Sequence, residues 1–447
     1  MNRRSSYVQL MLTGGMVIVS VAMTVFLFSP GKMVLQPRDK LQFVCLAWQE
    51  EALAAYKSIV ARWNEAHPES QVEYVQATWG SIHDYLITGF ETGDVPDIVH
   101  YESSAIIDFA VRGYLEDLAP MLSSELRNDI SQAAWATVRR SNGAVSGIPV
   151  LMESQIVLYN KYAFEEAHII PPNSANPWTW DDLRVVARKL TMDLDHDGVV
   201  DQWGVGIGLR NCANIVLNLT IGFDGSYFRK EGGSYVVRVG DEEKELLQRI
   251  VEMMYRDSTM TTAGLGQSGP GMIPSFLSGK FAMLVGIGAW SRQQLVQNAP
   301  KSFHWGVLPP LRARTQRIGT SSQTLSIPKG SNRKKEAMAF IEFLASSENM
   351  ASIAACDWMV PARTSCLELP RFQTMPDGWN IVRSSANYLT VGDWIGAPGY
   401  IEWKSRVANP IFQELFADRM SVDQAAQRIQ SESNAILARH NQRDEAW

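Results

Sequence analysis

The spacing Asp193-x-Asp195-x-Asp197-Gly198-x-x-Asp201 brings four carboxylates into one short turn. Oxygen ligands at positions 1, 3, 5 and 9, with glycine at 6 for the bend, suit a hard cation such as calcium. The twelfth position, where a bidentate glutamate closes such loops, is Gly204. The alternative is a solvated turn whose aspartates cap backbone amides. Tryptophan gives a second signal, with 14 in the chain. Trp48, Trp79, Trp290 and Trp394 fall at strand ends or in glycine-bearing loops. There an indole face can stack on the apolar face of a sugar ring, while nearby acids and amides bond its hydroxyls. Packing is the alternative for each of them, and as a set they favour a carbohydrate cleft. Trp63 on the inner face of a helix, and Trp178 and Trp180 around a helix start, read as packing.

Other chemistries lack their residues. G-x-S-x-G, H-E-x-x-H and G-x-x-x-x-G-K-[ST] are absent. Gly264-Leu-Gly-Gln-Ser-Gly269 satisfies G-x-G-x-x-G, but no strand precedes it, so it reads as a loop. The seven histidines are scattered and no C-x-x-C occurs. A carboxylate pair for glycoside hydrolysis can meet from anywhere in a chain, and no spacing points to one. Cys45 in an apolar run reads as a buried thiol, and Cys212 has no evident partner. Cys356 and Cys366, ten apart, could pair in an oxidising compartment. The net charge, 41 − 47 = −6, gives no pull toward nucleic acid or acidic lipid.

The elements that must position these residues start after residue 40. Val8 to Phe28 runs 21 residues without a charge behind Arg3-Arg4. That is about 31 Å of helix, enough to span a bilayer and longer than a signal-peptide core. Residues 1–30 therefore read as a signal anchor in preference to a cleaved signal, followed by a linker at 31–39. Leu41–Ala47 reads as a buried strand. Leu53, Tyr56, Ile59, Val60 and Trp63 form one helical face, stopped by His67-Pro68. Strands follow at 71–75 and 96–101. This alternation predicts a parallel sheet flanked by helices, with ligands at the carboxyl ends of its strands. Those ends are Trp48-Gln49-Glu50, Trp79 and Tyr101-Glu102-Ser103. The pattern restarts with a strand at 155–159 and a capping box at Thr179 and Asp182. Strands at 281–285 and 324–327 follow, then a helix carrying Ala337, Phe340, Ile341 and Leu344, and a last helix capped by Ser421 and Gln424.

In order along the chain, several segments match one family's motifs. They are Gly93-Asp-Val-Pro-Asp-Ile-Val99, Gly113-Tyr-Leu-x-Asp-Leu118, Gly147-Ile-Pro149, Leu158-Tyr-Asn-Lys161 and Thr179-Trp-Asp-Asp-Leu183. Phe276-Leu-Ser-Gly-Lys-Phe-Ala-Met283, Gly288-Ala-Trp290, Ile327-Pro-Lys-Gly-Ser331 and Met359-Val-Pro-Ala-Arg363 continue the series. Over about residues 40–447 the chain resembles the extracellular solute-binding proteins of ABC importers, in the sugar-binding group related to maltose-binding protein. Each motif is weak alone, and the ordered set is specific.

The resemblance implies a periplasmic-binding-protein-like α/β fold: two α/β lobes with hinge crossovers and a ligand cleft between them. The lobes would be 40–139 with about 324–375, and 140–323 with about 376–447. By position it implies a pocket of Trp48, Glu50, Trp79, Tyr101, Glu102, Glu153, Trp290, Ser321, Ser322 and Trp394. The glutamates would accept sugar hydroxyls and the aromatics would stack. None of these positions is cationic, which counts against a phosphate ester such as glycerol phosphate. The implied function is a non-enzymatic receptor, monomeric, without a required cofactor. It would bind a mono- or oligosaccharide outside the cytoplasmic membrane and hand it to an ABC permease. The chain departs from the family where Thr320, Ser321 and Ser322 replace glycines, and where Asn211-Cys-Ala-Asn214 follows Gly204. No lipid-attachment motif precedes Cys45, which fits anchoring through residues 8–28. An anchored glycan-degrading enzyme and a sensor for a membrane signalling partner are the alternative functions.

Overall fold

A computed structural model describes residues 39–375 and 378–444. The expected anchor at 8–28 lies outside the described residues, and among these no helix is long and apolar enough to cross a membrane.

The first strands obey the alternation expected of a two-sided parallel sheet. In β1 (Leu41–Cys45), Phe43 and Cys45 enter one core while Val44, and Leu46 just beyond it, enter another. β1 pairs in parallel with β2 (Val72–Gln76) and β3 (Ile98–Glu102). β4 (Ile148–Met152), β12 (Ser322–Ser326) and β13 (Val360–Pro361) complete a six-stranded sheet in the order β13-β4-β12-β3-β1-β2. β12 runs antiparallel to both β3 and β4. The second sheet holds β5 (Gln155–Asn160), β6 (Trp203–Ile207), β9 (Phe281–Gly288) and β10 (Trp305–Leu308) in the order β10-β5-β9-β6. β7 (Phe228–Glu231) and β8 (Ser234–Val237) make a hairpin, and β11 (Ile318–Thr320) pairs in parallel with β14 (Leu389–Val391).

The chain passes from the first sheet to the second directly after β4, returns through β11 and β12, and leaves again after β13. These passages are the hinge crossovers of a two-lobed fold. Sheet membership differs from the expected limit at residue 139. Ile148–Met152, fully buried, hydrogen-bonds to β12 and β13 and so belongs to the first sheet. Its unbroken apolar run carries no period that assigns it to either neighbour.

Local signals hold at several boundaries. The Glu50–Ala66 helix buries Tyr56, Ile59, Val60 and Trp63 and ends before His67. Thr179 Oγ accepts from the Asp182 amide at 3.1 Å, and the Asp182 carboxylate accepts from the Thr179 amide at 2.8 Å. Ser421 and Gln424 repeat that exchange ahead of the Val422–Asp444 helix. Gly204 on β6 lies against the Trp180–Leu190 helix so closely that a β-carbon would meet Ala187 O at 2.2 Å. The G-x-G-x-x-G stretch begins in a 3-10 turn, Thr262–Gly266. Cys356 and Cys366 are both free, as are Cys45 and Cys212; the Cys366 thiol faces Ser347 O at 3.3 Å.

Candidate functional site

Trp48 follows β1 in the first lobe, and Trp290 follows β9 in the second. Their rings meet edge to face, with centroids 5.7 Å apart and planes at 74°. Trp48 stays 48% exposed and Trp79 40%, an unusual outlay for the largest apolar side chains. Trp79 lies 6.0 Å from the buried ring of Tyr101, at the end of β3. Four expected aromatics thus form two pairs, each with a member at the carboxyl end of a first-lobe strand.

Glu153, Glu102 and Ser321 take up polar positions beside them. The Glu153 carboxylate accepts from Ser321 Oγ at 3.5 Å and from the Trp290 indole. Its backbone amide donates to Ser321 O at 3.0 Å, and its carbonyl accepts from Thr320 Oγ1 at 2.7 Å. Burial lifts the Glu153 carboxyl above the usual carboxylate range, and the nearby Glu102 charge adds to the lift. The hydrogen bonds from Trp290 and Ser321 oppose it. Glu102 is half-buried at the start of the Ser103–Val111 helix and takes the Lys404 ammonium at 3.5 Å. Glu50 is exposed in the first turn of its helix.

Lys404 is absent from the sequence reading, which found no cation at the pocket positions. It sits at the start of a π-helical turn, Lys404–Ala408, with its ammonium 5.4 Å from the Tyr400 ring. Only the spacing Tyr400-x-x-x-Lys404 could have hinted at it. Across the same opening, buried Gln293 donates to Cys356 O at 2.7 Å and to the Glu51 carboxylate. Behind Trp48, Gln49 Nε2 donates to Asp357 Oδ1 at 3.1 Å. Burial pushes the Asp357 carboxyl up to about 7, against a downward pull from Gln49.

Two expected residues lie elsewhere. Ser322 opens β12 just after Ser321, and its side chain is buried. Its hydroxyl bonds Thr137 Oγ1 at 2.6 Å and Thr324 Oγ1 at 2.8 Å. Trp394 is 4% exposed in the second-lobe core. The backbone at Gly319 and Gly392 makes room for its ring, and a β-carbon at Gly319 would meet it at 3.0 Å. Of the four aspartates, Asp193, Asp195 and Asp197 bring one carboxylate oxygen each within 4.8 Å of one another. Asp201 stays outside that group and caps the Leu194 amide at 2.8 Å. The other three also cap amides, at Gly198, Asp197 and Val199. Asp193 Oδ1 is buried without a hydrogen-bond partner.

Two α/β lobes, three crossovers and an aromatic opening between the lobes define the periplasmic-binding-protein class of fold. Comparison with known proteins agrees. The chain is similar to the sugar-binding protein MalE of Xanthomonas citri, with TM-score 0.78 and 18% identity over 91% of this chain and 100% of the other. It is similar also to a substrate-binding protein of Listeria monocytogenes solved with cycloalternan, with TM-score 0.76, 20% identity and coverage of 90% and 100%. An uncharacterized lipoprotein in the oleD 5′ region of Streptomyces antibioticus is 36% identical over 380 residues, 84% of this chain and 82% of that relative. Residues 47–351 match the bacterial extracellular solute-binding proteins, and the chain belongs to that family.

Proposed function

We propose that this protein is the carbohydrate receptor of an ABC importer. It binds a mono- or oligosaccharide in the cleft bounded by Trp48, Trp79, Tyr101 and Trp290, outside the cytoplasmic membrane. It then presents the sugar to the permease subunits without transforming it. The observation that carries this reading is the meeting of Trp48 from one lobe with Trp290 from the other, beside Glu102 and Glu153. Such a constellation stacks on ring faces and accepts hydroxyl protons, and sugar bound to both lobes shifts them toward closure. The cycloalternan solved with one of the fold's neighbours, and the description of another as a sugar-binding protein, support the same class of ligand. The permease partner and a monomeric state follow from the family reading. Residues 8–28 hold the protein at the membrane, since its first cysteine, Cys45, is a buried strand residue with no route to a lipid. The Asp193–Asp197 turn takes a structural calcium ion, and no other cofactor is needed.

The test is a thermal-shift screen of the purified protein against a sugar panel, because a ligand bound only by the folded state raises the melting midpoint. Stabilisation by one sugar class is expected. Stabilisation by amino acids alone, with every sugar silent, overturns the ligand class. Release of free sugar from a bound glycan would overturn the receptor role.

A further inference from the structure

A second hollow, of about 980 Å³, opens between the lobes and shares none of its lining with the tryptophan cleft. The contact of the Ser103–Val111 helix with the Asp393–Gly396 turn borders this hollow. Ile107 and Ile395 from that contact belong to one core cluster and also line the hollow. One wall is first-lobe chain at residues 132–142. The other is the turn of the β7–β8 hairpin and residues 391–398.

The charge of this hollow is one-sided. Arg139, Arg140, Lys230 and Asp393 are its charged residues, three cations against one carboxylate. Asp393 accepts from Ser226 Oγ at 3.2 Å and leaves a net positive balance among these four. Among the described residues none of the three cations has a carboxylate partner, although arginines elsewhere are usually paired, as Arg363 is with Glu125 and Asp129. Arg140 is the sharpest case. Its Nε is buried with no acceptor, and Nη1 reaches only Ala110 O, at 3.5 Å. A partly desolvated guanidinium without a carboxylate partner is costly, and an oxyanion in the hollow is the group that offsets its charge best. The other two cations rest over rings, Arg139 at 6.0 Å from Trp135 and Lys230 at 4.8 Å from Tyr235. The hairpin turn is Gly232-Gly233, with φ of 57° and 89° and open space where side chains would stand. A ligand can therefore approach its backbone closely.

We propose that this hollow is a binding site for a small polyanion carrying phosphate or carboxylate groups, held by Arg139, Arg140 and Lys230. Arg139 and Arg140 come from one lobe and Lys230 from the other, so an occupant bridges them. It is separate from the carbohydrate reading and does not depend on it.

The test uses the full chain and two probes, inorganic phosphate and citrate, by calorimetry at low ionic strength. We expect saturable binding of one anion per chain with Kd below about 1 mM. Arg140→Gln should weaken it about tenfold, the loss of one charge-assisted contact. Lys230→Gln, at an exposed position, does the same and keeps the test alive if the Arg140 variant fails to fold. Binding of phosphate alone, or of citrate alone, supports the site and names the anionic group it takes. No saturable binding of either probe up to about 10 mM overturns the proposal. So does binding that neither substitution weakens.

Discussion

Asp357→Asn should make the protein more stable at neutral pH, by an amount that grows with pH. Asp357 is 4% exposed, and the Gln49 amide is its hydrogen-bond partner. Burial lifts its carboxyl from the ordinary 3.8 to about 7. A carboxyl raised on folding binds its proton more tightly in the folded chain than in the unfolded one. Its contribution is therefore most favourable below pH 3.8 and is lost as pH rises through about 7. At 1.36 kcal/mol per pH unit, the folded state loses about 4 kcal/mol between those limits. Asparagine keeps the oxygen that Gln49 Nε2 donates to, carries no charge, and offers a donor to Gln49 Oε1, which is buried without a partner. The variant and the parent should thus be nearly equal at pH 4 and should separate by pH 8. For a body of roughly 400 residues, about 4 kcal/mol corresponds to a rise of some 4–5 °C in the melting midpoint. The assay is a pair of melting curves at each of several pH values from 4 to 8. Taking the difference cancels every other titrating group. A difference that stays flat across that range, or an Asn variant less stable at pH 8, refutes the reasoning.

Trp290→Ala should lower affinity for whichever sugar stabilises the protein by about tenfold or more, read by calorimetry. Unchanged affinity removes Trp290 from the pocket. Calcium should raise the melting midpoint of the parent, and Asp195→Asn should reduce that rise because it removes one of three convergent carboxylates. An equal rise in both proteins would place the ion elsewhere. Gly204→Ala should destabilise the fold by about 2 kcal/mol, because the new methyl would collide with the Ala187 backbone. A melting midpoint equal to the parent's would show that β6 and its covering helix can part without strain.

Much of the fold was legible in the chain because its signals are local. Period-3.6 faces gave the Glu50–Ala66 and Lys334–Leu344 helices, a buried apolar run gave β1, and alternation gave β2. Capping boxes marked the helix starts at Thr179 and Ser421. The rule that ligands sit at carboxyl ends of parallel strands singled out Trp48, Trp79 and Tyr101 without any knowledge of the second lobe. The ordered motifs then gave the family, which the match over residues 47–351 bears out.

Other features depend on contacts between distant segments, and no local pattern records those. Ile148–Met152 joins the first sheet because β12 and β13, from much later in the chain, accept it. Ser321 and Ser322 are adjacent in sequence, yet Ser321, in the break between β11 and β12, reaches Glu153, while Ser322, opening β12, is buried against Thr137. Trp394 carries the same indole as half-exposed Trp48, and the space left at Gly319 and Gly392 lets it pack into the core. Lys404 becomes a partner of Glu102 across 302 residues of chain, and Asp357 becomes a titrating group near neutrality through burial alone. Residue types and periods are written along the chain and set the elements and the family. Burial, charge pairing and the assembly of the cleft are properties of the packed whole, so only the tertiary structure decides them.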